Sequence, residues 1–96
     1  MAKPLVDLIY NAFCTEETPQ VRRLARKYGF PIREYDIWNL DASDESLPPH
    51  IRLKIGLVRS GEDGFFAGAC FIDGEEVDWW AGFERAFESA REKAGG

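Results

Sequence analysis

Leu5 to Phe13 reads Leu-Val-Asp-Leu-Ile-Tyr-Asn-Ala-Phe, a nearly continuous apolar run, partly β-branched and interrupted by one carboxylate at Asp7. A run of that length is expected for a strand covered on both faces, where neither side meets water and the polar alternation disappears. It reads as a first, central strand. Thr18 and Pro19 then form a helix-start pair, N-cap and first turn. Val21, Leu24, Ala25 and Tyr28 follow at the spacing of one helical face, and Gly29 and Pro31 end the helix. Pro31 to Leu40 holds Ile32, Tyr35, Ile37, Trp38 and Leu40, aromatic and β-branched enough for a second strand. Strand, helix and strand in so few residues imply a right-handed βαβ unit with parallel strands.

After a polar loop at Asp41 to Glu45, residues 48–59 admit two readings. Ile51, Leu53, Ile55 and Leu57 alternate like a strand, while Leu47, Ile51, Ile55 and Val58 share a helical face. Pro48 and Pro49 suit a helix start, Gly56 suits neither state, and helix is the expectation. Phe65 to Ile72 and Glu75 to Val77 flank Asp73-Gly74, the pair a type I′ turn favours because both central residues need positive φ. Asp78 then reads as the cap of a final helix with Trp80, Phe83, Phe87, Ala90 and Ala94 at helical spacing.

The 96 residues fit one domain, 1–96, and 45% hydrophobic with 30% charged side chains is a globular balance. Seventeen acidic against twelve basic residues give a net charge of -5, which repels a phosphate backbone or an anionic membrane. Neither nucleic acid nor membrane is therefore an expected partner, and Arg22, Arg23, Arg26 and Lys27 read as a solvated helix face. No signal peptide or membrane span is evident, so a cytoplasmic protein is the expectation. Two cysteines make neither a disulfide framework nor a zinc motif, and a reducing compartment leaves both as thiols.

The order β-α-β-α-β-β-α resembles the thioredoxin fold in its smaller, glutaredoxin-like form, a four-stranded mixed sheet flanked by helices. Val6-Asp7-Leu8-Ile9-Tyr10-Asn11-Ala12-Phe13-Cys14 is similar to the family's first strand leading to its redox cysteine, and Phe71-Ile72-Asp73-Gly74-Glu75-Glu76-Val77 to its hairpin. The resemblance implies a redox thiol at Cys14 acting on a protein disulfide or glutathione, with no cofactor and no metal. The family's Cys-x-x-Cys reads Cys14-Thr15-Glu16-Glu17 here, so Glu17 stands at the resolving position, a pattern similar to monothiol members or to relatives that kept the fold and lost dithiol chemistry. The position matching the family's cis-proline is Gly68; were residues 51 to 59 a strand, Pro49 would match instead. Cys70, two residues past Gly68, falls in the third strand next to the first.

A thiol attacks as its thiolate, which helix N-terminal amides favour and nearby carboxylates oppose. With the helix start about one turn beyond Cys14 and with Glu16 and Glu17 adjacent, a modestly reactive thiol is expected rather than a strongly activated one. Cys14 is the candidate catalytic residue, and Thr15, Glu17, Thr18, Gly68 and Cys70 are its candidate supports. Cys14 also reads as a small apolar residue at a strand end. Glu17 reads as a proton acceptor for the thiol or a specificity contact, and, as the favoured reading, as a first-turn carboxylate suited to the helix dipole. A Cys14 to Cys70 disulfide needs Cα atoms within ~7 Å; a buried strand thiol is the commoner state for Cys70. His50, the one histidine, follows two prolines in a polar loop with no second ligand near it in sequence. Two functions fit these residues: thiol exchange through Cys14, or a non-catalytic interaction module using acidic surface and the Trp79-Trp80 region.

Overall fold

The computed structural model describes residues 3–10, 17–41, 43–61, 68–77 and 82–95. In chain order they form β1 (Val6–Tyr10), α1 (Glu17–Tyr28), β2 (Ile32–Asp36), a 3₁₀ turn (Ile37–Asn39), α2 (Pro49–Arg59), β3 (Gly68–Ile72), β4 (Glu75–Glu76) and α3 (Phe83–Gly95). The strands make one mixed sheet in the order β2-β1-β3-β4. β1 runs parallel to β2, from Val6 opposite Ile32 to Tyr10 opposite Asp36, and antiparallel to β3, from Val6 opposite Ile72 to Tyr10 opposite Gly68.

The position of β1 between two strands explains its apolar run. Val6 and Leu8 join Cys70 and Ile72 on one sheet face, beneath Val21, Leu24 and Ala25 of α1 and Phe83 and Phe87 of α3. Ile9 joins Ala69 and Phe71 on the other face, beneath Ile51 and Ile55 of α2. Alternate residues of β1 thus enter two different cores, and both need apolar side chains. On the first face the rings of Tyr28, Phe30 and Phe87 pack together, with Phe30 and Phe87 stacked at 5.6 Å between centroids.

Local chemistry sets the element ends. Gly29 takes φ 70, its N–H donates to the Arg26 carbonyl at 3.2 Å, and the Phe30 N–H donates to that of Ala25 at 2.9 Å. This Schellman closure turns Phe30 back into the core that Ala25 also enters. At the hairpin, Asp73 at φ 52 and Gly74 at φ 84 are the two positive-φ residues of a type I′ turn. Asp73 also exchanges two 2.9 Å bonds with Leu5, its N–H donating to the Leu5 carbonyl and its Oδ1 accepting from the Leu5 N–H. The turn is thereby tied to the head of β1.

The ambiguous segment is a helix from Pro49 to Arg59: Ile51 and Ile55, one turn apart, are both fully buried and Pro49 occupies the first turn. The structure departs from the sequence reading at three boundaries. The second strand stops at Asp36, because its side chain accepts from the Trp38 N–H at 3.0 Å and bends residues 37–39 into a 3₁₀ turn. α1 is already helical at Glu17, so Thr18 lies inside it. α3 begins at Phe83, just past Gly82 at φ 94, rather than at an Asp78 cap. Asp78, Trp79 and Trp80 lie outside the described residues.

Candidate functional site

Two places bear on function: the end of β1 that leads towards Cys14, and a cluster of charged side chains on Asp7 at the same strand's other end. Cys14 and Thr15 lie outside the described residues. Glu17 is the first residue of α1, and Thr18 after it is only 5% exposed, held inside the fold rather than presented to a substrate. Gly68 opens β3 opposite Tyr10, the last residue of β1. Its φ of 152 is a conformation that side-chain-bearing residues rarely adopt, which suits the glycine found there. The Arg22 guanidinium lies 5.6 Å from the centre of the Tyr10 ring and its Nε donates to Glu34 Oε1 at 2.7 Å. Lys27 reaches Glu84 at 3.4 Å. Two of the four helix cations are therefore engaged with carboxylates of neighbouring elements.

Cys70 is a free thiol with no exposed surface, opposite Leu8 on the face covered by α1 and α3. Burial, with a smaller contribution from the Asp7 charge, pushes its pKa up to about 12. A thiol so held is protonated at neutral pH and out of reach of a substrate, so the structure gives Cys70 a packing role.

The second place was not singled out in the sequence as a site. Asp7 is 1% exposed, and the parallel register sets Arg33 directly across from it on β2. Arg33 Nε donates to Asp7 Oδ1 at 2.7 Å and Nη2 to Oδ2 at 3.0 Å, a bidentate pair. His50 comes down from the first turn of α2, not from a loop, and its Nε2 lies 2.9 Å from Asp7 Oδ2. The imidazole also packs on the Phe71 ring, 5.0 Å between centroids. With a carboxylate oxygen facing Nε2, that nitrogen carries the proton and donates.

The carboxylate's hydrogen bond raises the Arg33 pKa, against a smaller lowering by desolvation. Next to it, burial first and the Asp7 charge second raise the Tyr35 pKa. The arrangement neutralises a buried charge and bolts the start of α2 to β1 and β2. The clue in the sequence was the single acid inside the apolar run of β1, because a buried carboxylate requires a cation or donors nearby. Asp7 and Tyr10 are three residues apart along β1, about 10 Å, so this cluster and the Tyr10–Gly68 end are separate places. Among the described residues no three His, Cys, Asp or Glu side chains gather closely enough to hold a metal ion. No helix among them is long and apolar enough to cross a membrane.

Comparison with family models, with curated proteins and with solved structures finds no match to this chain.

Proposed function

We propose that the chain is a thioredoxin-like thiol protein of monothiol type, in which Cys14 exchanges with a protein disulfide or with glutathione. The observation that supports this most is the sheet. Its order is β2-β1-β3-β4, with β1 parallel to β2 and antiparallel to β3; helices α1 and α3 lie on one face and α2 on the other. It is compatible with the mixed four-stranded sheet flanked by helices that the resemblance implies, and in such open sheets chemistry gathers beyond the carboxyl ends of the strands. β1 ends at Tyr10, and the chain passes through Cys14 before α1 opens at Glu17.

In the proposed step the Cys14 thiolate attacks one sulfur of a disulfide. A new S–S bond forms to Cys14, the old one breaks, and the departing thiolate takes up a proton. Glu17 carries no sulfur, so the mixed disulfide is released by a second thiol from outside the site, glutathione or a partner's cysteine. That thiol is oxidised into the departing disulfide, and Cys14 is regenerated.

The buried Cys70 makes the test simple. With one of two thiols pushed up to about 12, a thiol that titrates below ~9 in the folded protein is Cys14. The rate of iodoacetamide alkylation, followed by mass spectrometry from pH 5 to 10, should give a midpoint at or below ~8.5, and Cys14→Ser should abolish both the labelling and glutathione-dependent disulfide exchange. A folded protein that resists alkylation and exchanges no disulfide ends the reading. The second reading, a binding module without thiol chemistry, draws on the exposure of Trp38 and Leu53, 64% and 67%. It requires an association that Cys14→Ser leaves intact.

A further inference from the structure

A cleft of about 390 Å³ opens between β4 and α3, at the edge of the sheet away from β2. That is within the size range of ligand sites. Ile72 and Val77 form its strand wall, while Ala86 and Ala90, one turn apart on α3, leave the hollow because neither carries more than a methyl group. Its rim bears three carboxylates, Asp73, Glu75 and Glu76, and one ammonium, Lys93.

Strand alternation sorts the carboxylates. Ile72 faces Glu75 across the hairpin, which puts Glu75 on the α3 side with the floor of the cleft. Glu76 points to the opposite side, where Lys54 of α2 meets it at 2.9 Å. Asp73 spends one oxygen on the Leu5 N–H. Glu75 has no partner among the described residues. The backbone adds a second feature. The Val77 N–H donates to the Cys70 carbonyl at 2.8 Å, and Glu75 faces Ile72 beside the turn. Antiparallel alternation then turns the N–H and C=O of Glu76, between them, away from β3. Those are the groups that an added strand pairs with.

We propose that this cleft receives an extended basic segment of a partner protein. Its main chain pairs at Glu76, an apolar side chain rests between Val77 and Ala90, and a lysine or arginine meets Glu75. Charge selects the occupant: with Glu76 paired to Lys54 on the other side, Asp73 and Glu75 stand against the single ammonium of Lys93, on a chain whose net charge is -5. The inference is independent of the thiol reading.

The test uses the full chain and a fluorescein-labelled octapeptide of alternating valine and lysine, with its valine–glutamate counterpart as control, at 150 mM salt. Saturable anisotropy is expected for the lysine peptide alone. Binding should weaken about fivefold or more in Glu75→Lys, the loss of one surface charge pair, and in Ala90→Trp, which fills the hollow. Amide resonances of β4 and α3 should shift on binding, and Cys14→Ser should bind as the parent does. Absence of saturable binding, equal binding by Glu75→Lys, or shifts confined to other elements would overturn the proposal. Ala90→Leu serves where the tryptophan variant does not fold. Because disulfide exchange is measured separately, failure here leaves the Cys14 reading standing, and the reverse.

Discussion

Asp7 sits where a strand core would take a hydrophobe, and the side chains around it decide what each substitution costs. Arg33 is about half exposed, so it can rehydrate if its partner is lost; Asp7, 1% exposed, cannot. Removing the cation should therefore hurt more than removing the anion. Arg33→Met is expected to cost about 3 kcal/mol by leaving the buried carboxylate with His50 as its one remaining side-chain donor among the described residues, and Asp7→Leu only about 1 kcal/mol. The double variant should recover most of the loss. Urea denaturation of the three proteins measures this, and a costlier Asp7→Leu would contradict it. Cys70 supplies a pH dependence with a definite sign. Its folded pKa of about 12 lies above the ordinary value of 9.0, so between these limits the folded chain keeps a proton that the unfolded chain has lost. Stability should fall as pH rises through that window, with a Cys70 contribution of about 1.4 kcal/mol per pH unit. Thermal melts at pH 8 to 11 should show a shallower decline in Cys70→Ala than in the parent. Asp41 and Asp44 work at the acid end. Bonds from the Ser43 N–H and hydroxyl lower the Asp41 pKa, and those from the Ser46 hydroxyl and N–H lower that of Asp44. Their contribution is present above the ordinary carboxylate range and is lost as pH falls through the lowered values.

Among the elements, two glycines show how backbone conformation overrides composition. At Gly74, φ 84 lies where a Cβ is strained, so Gly74→Ala should destabilise the β3–β4 hairpin by about 1 kcal/mol. At Gly56, inside α2, an added Cβ meets nothing within 4 Å, and Gly56→Ala should stabilise the protein by about 1 kcal/mol through helix propensity alone. Opposite signs in paired melting experiments are the expected result; two losses would mean that Gly56 has a further role. Element identity was readable where a local signal stood without a competitor. Asp73-Gly74 announced its turn, and the face Val21, Leu24, Ala25 and Tyr28 announced α1. Residues 48–59 carried two apolar periodicities, and it is the Ile9, Ala69 and Phe71 face of the sheet, which Ile51 and Ile55 cover together, that makes the segment a helix. The 3₁₀ turn after Asp36 was hidden by a strand-like composition, since a single carboxylate bonding two residues ahead leaves no periodic trace.

For the molecule as a whole, β1 is the organising strand, paired on both sides and covered on both faces. Its amides should be the slowest to exchange with solvent and those of the two-residue edge strand β4 among the fastest, which hydrogen-exchange mass spectrometry reads directly. Equal protection of the two would contradict this architecture. The amino-acid order alone determined the α/β class, the central strand and the hairpin turn. These rest on contacts within a few residues, or on the chain's need to cover apolar strands. Only the tertiary structure decided that Asp7 meets Arg33 and His50 and that a cleft lies beside β4. Each of these depends on which strands become neighbours and in what register, and residues 26 to 43 positions apart carry no local mark of meeting.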